Sequence, residues 1–158
     1  MMKALLPVFL LAFLAGGPKT TLAQSSNPTA QEAIVGLWKT VDDVEDRVKS
    51  IVEITERDGK FYGTVQELFM LPEEDQHPVC DECEDDRKGQ PALGMEIVRD
   101  MVLTDAEEME WEDGTICDPK NGKIYTCELW FDGDNYDELK VRGYILFFFR
   151  TQTWYRVD

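Results

Sequence analysis

Residues with chemical potential concentrate at His77-Pro78-Val79-Cys80-Asp81-Glu82-Cys83, where a CxxC pair follows three positions after the single histidine of the chain. Zinc accepts such donors, with a fourth ligand from Cys117, Cys127 or a carboxylate, but the second CxxC of a paired site is missing, so no metal is expected. Thiol exchange needs an attacking thiol made acidic by a helix N-terminus or a cation. Here Asp81, Glu82, Glu84, Asp85 and Asp86 surround the pair, against Arg87 and Lys88, and push the other way. One histidine in a Pro-flanked loop, with no GxSxG or similar nucleophile motif, leaves little room for a hydrolytic triad. The chain is therefore read as a non-enzyme without cofactor, its cysteines structural. In an oxidising compartment nearby thiols form disulfides, and the expected pairs are Cys80 with Cys83 and Cys117 with Cys127. The second pair faces across its hairpin only if the loop is Asn121-Gly122-Lys123; a two-residue loop would place the thiols on opposite faces.

Two further clusters carry less. The loop Asp132-Gly133-Asp134-Asn135-Tyr136-Asp137 has the oxygens of a calcium loop but lacks its glycine at position six and its glutamate at position twelve, where Gly143 stands. It reads as a solvated turn. Trp38, Trp111, Trp130 and Trp154 fall at strand positions, where aromatics serve as core or cross-strand pairs.

The elements that hold these residues begin after a targeting segment. Residues 1–23 combine Lys3, an apolar run from Ala4 to Ala15 and the small-residue site Thr21-Leu22-Ala23, the pattern of a cleaved leader. The run is too short to span a bilayer. A periplasmic or secreted protein is expected. Its loss leaves 14 basic residues against 32 acidic ones, a net charge of −18 in place of −16 for the whole chain. Such a field disfavours nucleic acid and anionic membranes as partners. Residues 24–33, polar and containing Pro28, read as a disordered tether, and 34–158 as one domain.

Strand patterns fill that domain. They run from Ile34 to Val41, Arg47 to Thr55, Phe61 to Leu68, Leu93 to Leu103, Met109 to Cys117 and Ile124 to Phe131, then twice more in LKVRGYILFFFRTQTWYRV from Leu139 to Val157. Asp58-Gly59 marks a hairpin turn. Gly94 and the out-of-phase Val98 mark a bulge. Residues 71–91, with three prolines and the CxxC, form a long connection able to serve as a lid. A last strand this apolar needs a partner on its outer edge, and the first strand supplies one. Eight strands closed in this way make an all-β, up-and-down antiparallel barrel with room for one small ligand. Strand parity directs Ile54, Val65, Met95, Ile97, Leu129 and Ile145 to its interior as candidate ligand-binding residues.

Gly36-Leu37-Trp38 resembles the Gly-x-Trp signature of lipocalins, which implies that Trp38 closes one end of the barrel beneath a basic residue of the last strand, Arg156 or, as second choice, Arg150. The order KSIVEI, CxxC then RKGQP, DPKNGKIYTCELW, and LKVRGYI then RTQTW is similar to a family of small secreted bacterial proteins known as domain of unknown function 2147. That resemblance implies a lipocalin-like barrel and no established activity. Two functions follow as expectations: a carrier of a small, mostly apolar ligand, or a cell-envelope interaction or structural module whose barrel is a packed core.

Overall fold

Alternation of apolar and polar residues makes every strand of this chain two-faced, and a sheet with one apolar face must bury it. The computed structural model, which describes residues 27–42 and 45–157, shows the solution as a closed antiparallel barrel. A short helix α1 (Ala30–Ile34) precedes the strands β1 (Gly36–Asp42), β2 (Arg47–Arg57), β3 (Lys60–Leu68), β4 (Glu96–Asp105), β5 (Glu110–Asp118), β6 (Lys123–Phe131), β7 (Glu138–Ile145) and β8 (Phe148–Arg156). Each strand pairs with the next, and β1 closes on β8 through Trp38↔Arg156, Lys39↔Tyr155 and Thr40↔Trp154. The expected leader, residues 1–23, lies outside the described residues.

Local chemistry sets the turns. Asp58 and Gly59 both have positive φ, as the tight hairpin expected there requires. Bulges bend β3 and β4, with a register shift at Gly63/Thr64 where Ile97 and Val98 are both buried. The fourth strand begins later than its sequence pattern suggests: Gly94 turns with φ +82, Leu93 is exposed, and the ladder starts at Glu96.

The tether reading of residues 24–33 does not survive at its C-terminal end. Thr29 and Glu32 form a reciprocal capping box, which starts a one-turn helix whose Ala30, Ala33 and Ile34 are buried in the core. Ile34, expected to open the first strand, ends that helix instead, and its carbonyl accepts the Trp38 indole N–H at 2.9 Å.

Arg156 seals the same end. Its guanidinium lies 4.3 Å over the Trp38 ring and donates to the carbonyls of Ala33, Val35 and Tyr136. One side chain thus ties α1, the start of β1 and the loop before β7 to the last strand. Gly36 makes room for it. At φ +136 its backbone suits glycine, and a Cβ there would stand 3.0 Å from an Arg156 terminal nitrogen.

Arg156→Ala is expected to cost about 2–3 kcal/mol, because three carbonyls lose a charged donor and the ring loses its cover. Arg156→Lys should recover little of this, since an ammonium cannot reproduce the planar fork. Urea unfolding checks both. A midpoint unchanged in either variant would remove Arg156 from the role of seal.

Candidate functional site

The core fills the barrel with the residues expected to line a ligand chamber. Ile54, Val65, Met95, Ile97 and Leu129 are buried and belong to one cluster with Trp38, Trp111 and Trp154. Ile145 is not among them: it is 39% exposed, one position before the β7–β8 turn. Phe61, Trp111, Phe131 and Tyr136 stack edge to face below Trp38, with centroid distances of 5.6 to 5.9 Å. Trp111 and Trp154 bury indole N–H groups that have no partner among the described residues.

The cysteines act on the wall. Cys80 and Cys83 are joined, as expected, so neither is available as a thiolate ligand. Cys117 and Cys127 are free, against expectation. The reason is register. The β5–β6 ladder sets Asp118 opposite Lys123, with a four-residue turn in which Asp118 accepts from the Lys120 backbone and the Asn121 amide. Cys127 then faces Gly114 and Cys117 faces Ile124, so the two thiols lie on opposite faces of the hairpin.

Cys127 shares the inner face with Leu129 and Phe131, and burial pushes its thiol up to about 12. Cys117 points to the outer face, where its thiol meets the Cys83 sulfur at 3.8 Å; since Cys83 is in a disulfide, Cys117 is the donor. Burial raises its pKa too, with Arg87 opposing.

The long connection expected as a lid is therefore pinned. Glu82 packs on the β5–β6 turn so closely that a Cβ on Gly122, at φ +65, would collide with the Glu82 carbonyl. Arg87, 2% exposed, pairs with Asp85 at 2.6 Å and donates to the Glu96 carbonyl. Asp86 binds Arg99 through two bonds of 2.7 and 2.9 Å. Backbone bonds from Cys80 to Gln90, from Gly89 to Cys80 and from Ala92 to Pro78 knit the segment to itself.

What this loop creates is a cleft. At the end remote from Trp38, a space of about 990 Å³ lies between the ends of β2 and β3 and the pinned connection. Phe69, Leu71, Val79 and Leu93 present exposed apolar side chains to it, and Val48 and Leu68 form its floor. Arg47 and the exposed His77 stand at its polar margin, Arg47 held by Glu74 at 2.6 Å and by the Phe69 carbonyl. Nothing in the alternation of the strands pointed to this set, because the connection contributes most of it; the signal in the sequence was the apolar spacing Phe69, Leu71, Val79, Leu93 among prolines. The acidic loop after β6 behaves as a turn: Asp132 accepts from the Trp130 indole and Asp134 from the Tyr136 hydroxyl.

Native protein should leave Cys117 and Cys127 unreactive toward an aromatic disulfide reagent, and denaturation without reductant should release two thiols per chain. Peptide mapping after acid quenching should recover Cys80 linked to Cys83; a Cys117–Cys127 link would overturn the register. A second expectation concerns Asp85, whose carboxyl is held below 3.8 chiefly by the Arg87 hydrogen bonds. A depressed folded pKa gives stability that is complete above the unfolded value and is lost as pH falls through the folded one. Asp85→Asn should destabilise the protein by about 1–3 kcal/mol at pH 7, and the gap from wild type should close as pH falls below 3.8, read by denaturant midpoints across that range. A gap independent of pH would show that the charge of Asp85 contributes nothing.

Comparison with known proteins fits this architecture. No curated protein matches the sequence. Among solved structures, protein HP1028 from the human pathogen Helicobacter pylori, described as belonging to the lipocalin family, superposes with a TM-score of 0.64 over 79% of this chain and 83% of that one, at 16% identity. At that identity the likeness is one of fold. Residues 36–156 match a family described as uncharacterized protein conserved in bacteria. With β1 through Arg156 inside that match, the chain belongs to the bacterial family known as domain of unknown function 2147.

Proposed function

We propose that this protein binds a small, mostly apolar molecule in the cleft at the mouth of the barrel and carries or sequesters it outside the cytoplasm. The observation that supports this reading is the cleft itself: about 990 Å³, walled by Phe69, Leu71, Val79 and Leu93, at the end of a lipocalin-like barrel that Trp38 does not close. Ligand sites are concave, mainly apolar and about 300–1,000 Å³ in size, with a few polar groups to orient the guest. Arg47 and His77 supply that polar margin. The guest sits at the rim and not among Ile54, Val65, Met95, Ile97 and Leu129, whose side chains already pack against one another. Binding there needs no covalent step, and no catalysis is assigned. A leader over residues 1–23 and the Cys80–Cys83 disulfide support a periplasmic or secreted location.

A second reading, an envelope interaction module without ligand, draws on the same packed interior, since a filled barrel is the more stable arrangement. Native mass spectrometry and displacement of a fluorescent fatty acid separate the two. The carrier reading expects a bound species or displaceable probe, and Val79→Asp with Leu93→Asp should weaken the probe about tenfold or more by placing charge in the apolar wall. Absence of any bound species and of displacement by wild type would leave the module.

A further inference from the structure

The β7–β8 hairpin ends in four consecutive apolar residues that the fold does not bury: Leu146 is 89% exposed, Phe147 96%, Phe148 74% and Phe149 63%. This chain knows how to make a polar turn. It uses Asp58-Gly59 between β2 and β3 and Asn121-Gly122 between β5 and β6, with aspartate or glycine where φ is positive. At the β7–β8 turn it sets Leu146 at φ +53, a conformation that favours glycine or asparagine, and follows it with phenylalanine. Both choices cost stability in isolation, and nothing inside the barrel repays them. Strain and exposed aromatic surface together at one projecting point indicate an external partner.

Its surroundings state the chemistry of that partner. Phe149, at the base, is held by Tyr144 at 5.9 Å and by the Arg142 guanidinium at 5.0 Å, so the hairpin is stiff below its tip. Beside it runs the start of β6, paired with β7 from Thr126↔Tyr144 onward. Ile124 there is 43% exposed as well. Lys120 and Lys123, on the same turn, join no ion pair with any described residue; Arg150 follows Phe149 in sequence. Asp118 shares that turn and Glu82 packs on its Gly122, so this end of the hairpins is apolar at the point with charges of both signs around it.

We propose that the Leu146 to Phe149 tip inserts into the interfacial layer of a phospholipid bilayer, with Lys120 and Lys123 facing lipid phosphates. The shape favours lipid over protein. A convex projection requires a matching pocket in a folded partner, whereas acyl chains close around it, and a second copy would bring an equal projection and another strongly negative body. The overall negative charge selects zwitterionic over anionic surfaces. Insertion would bring the mouth of the barrel, which shares this end with the tip, close to the lipid layer. The inference stands on the hairpin alone and does not depend on a ligand in the cleft.

Flotation with phosphatidylcholine vesicles tests it. Wild type and variants are prepared identically, with the presence or absence of residues 1–23 established by intact mass, so that any difference belongs to the hairpin. Wild type is expected to float. Phe147→Ser combined with Phe148→Ser, at positions too exposed to disturb the core, should lower the partitioned fraction about tenfold or more while the near-ultraviolet circular dichroism stays unchanged. Lys120→Glu with Lys123→Glu should lower it several-fold. Failure of wild type to float, or equal flotation of the phenylalanine variant, overturns the proposal. So does a concentration-dependent dimer in light scattering that the phenylalanine variant abolishes without any lipid binding, which would assign the tip to self-association.

Discussion

The stacking of Arg156 on Trp38 is the contact on which the architecture rests. A barrel removes the edges of its sheet only if its first and last strands meet, and here they meet over three residue pairs beginning at this one. The guanidinium also gathers carbonyls from the end of α1 and from the loop before β7, so one end of the barrel is plugged by backbone as well as by an indole. Burial lowers the pKa of Arg156 and Asp137 partly offsets it. The charge is kept there because each of its three nitrogens donates to a backbone carbonyl.

Closing one end directs whatever the protein does to the other. There the connection between β3 and β4 is an annexe to the wall. Arg87 beneath the loop, Asp86 on Arg99, and Cys83 against Cys117 fix it over the outer face of β4 and β5. The disulfide spans a separation of three, so it closes a very small loop and constrains little of the unfolded chain. Its effect is local, shaping a compact knob that Gly122 accommodates.

Much of this was legible because strands advertise themselves with a period of two. Leu139 and Val141 on β7, and Val52 and Ile54 on β2, alternate cleanly and are buried as alternation demands. Gly36, Trp38 and Arg156 stood out because a short signature places them. What escaped was governed by other rules. Thr29 and Glu32 carried a capping-box signal, but the helix they start is a single turn, too short for a period of 3.6 to emerge. Cys117 and Cys127 depended on whether a turn holds three residues or four, and Asp118 decided that by capping the turn with its side chain. Ile145 kept the phase of β7 but had passed the end of the core, which parity cannot reveal. The cleft belongs to a connection rather than a strand, where no periodicity applies.

The three-pair seam between β1 and β8 also bears on the order in which the chain can fold. Every other ladder joins strands adjacent in sequence, whereas Trp38 and Arg156 are 156 − 38 = 118 residues apart. Loop-closure entropy grows slowly with length, so such a contact is affordable at equilibrium. Kinetically it is the most distant pairing in a topology already dominated by non-local contacts, a class that folds in roughly milliseconds to seconds. Until the seam zips, β1 and β8 each present an unpaired edge, and β8 begins with two consecutive aromatic residues, Phe148 and Phe149, beside its turn. Every other ladder can form before this one, so the residue that seals the finished barrel also ends the period in which the sheet is open to other chains.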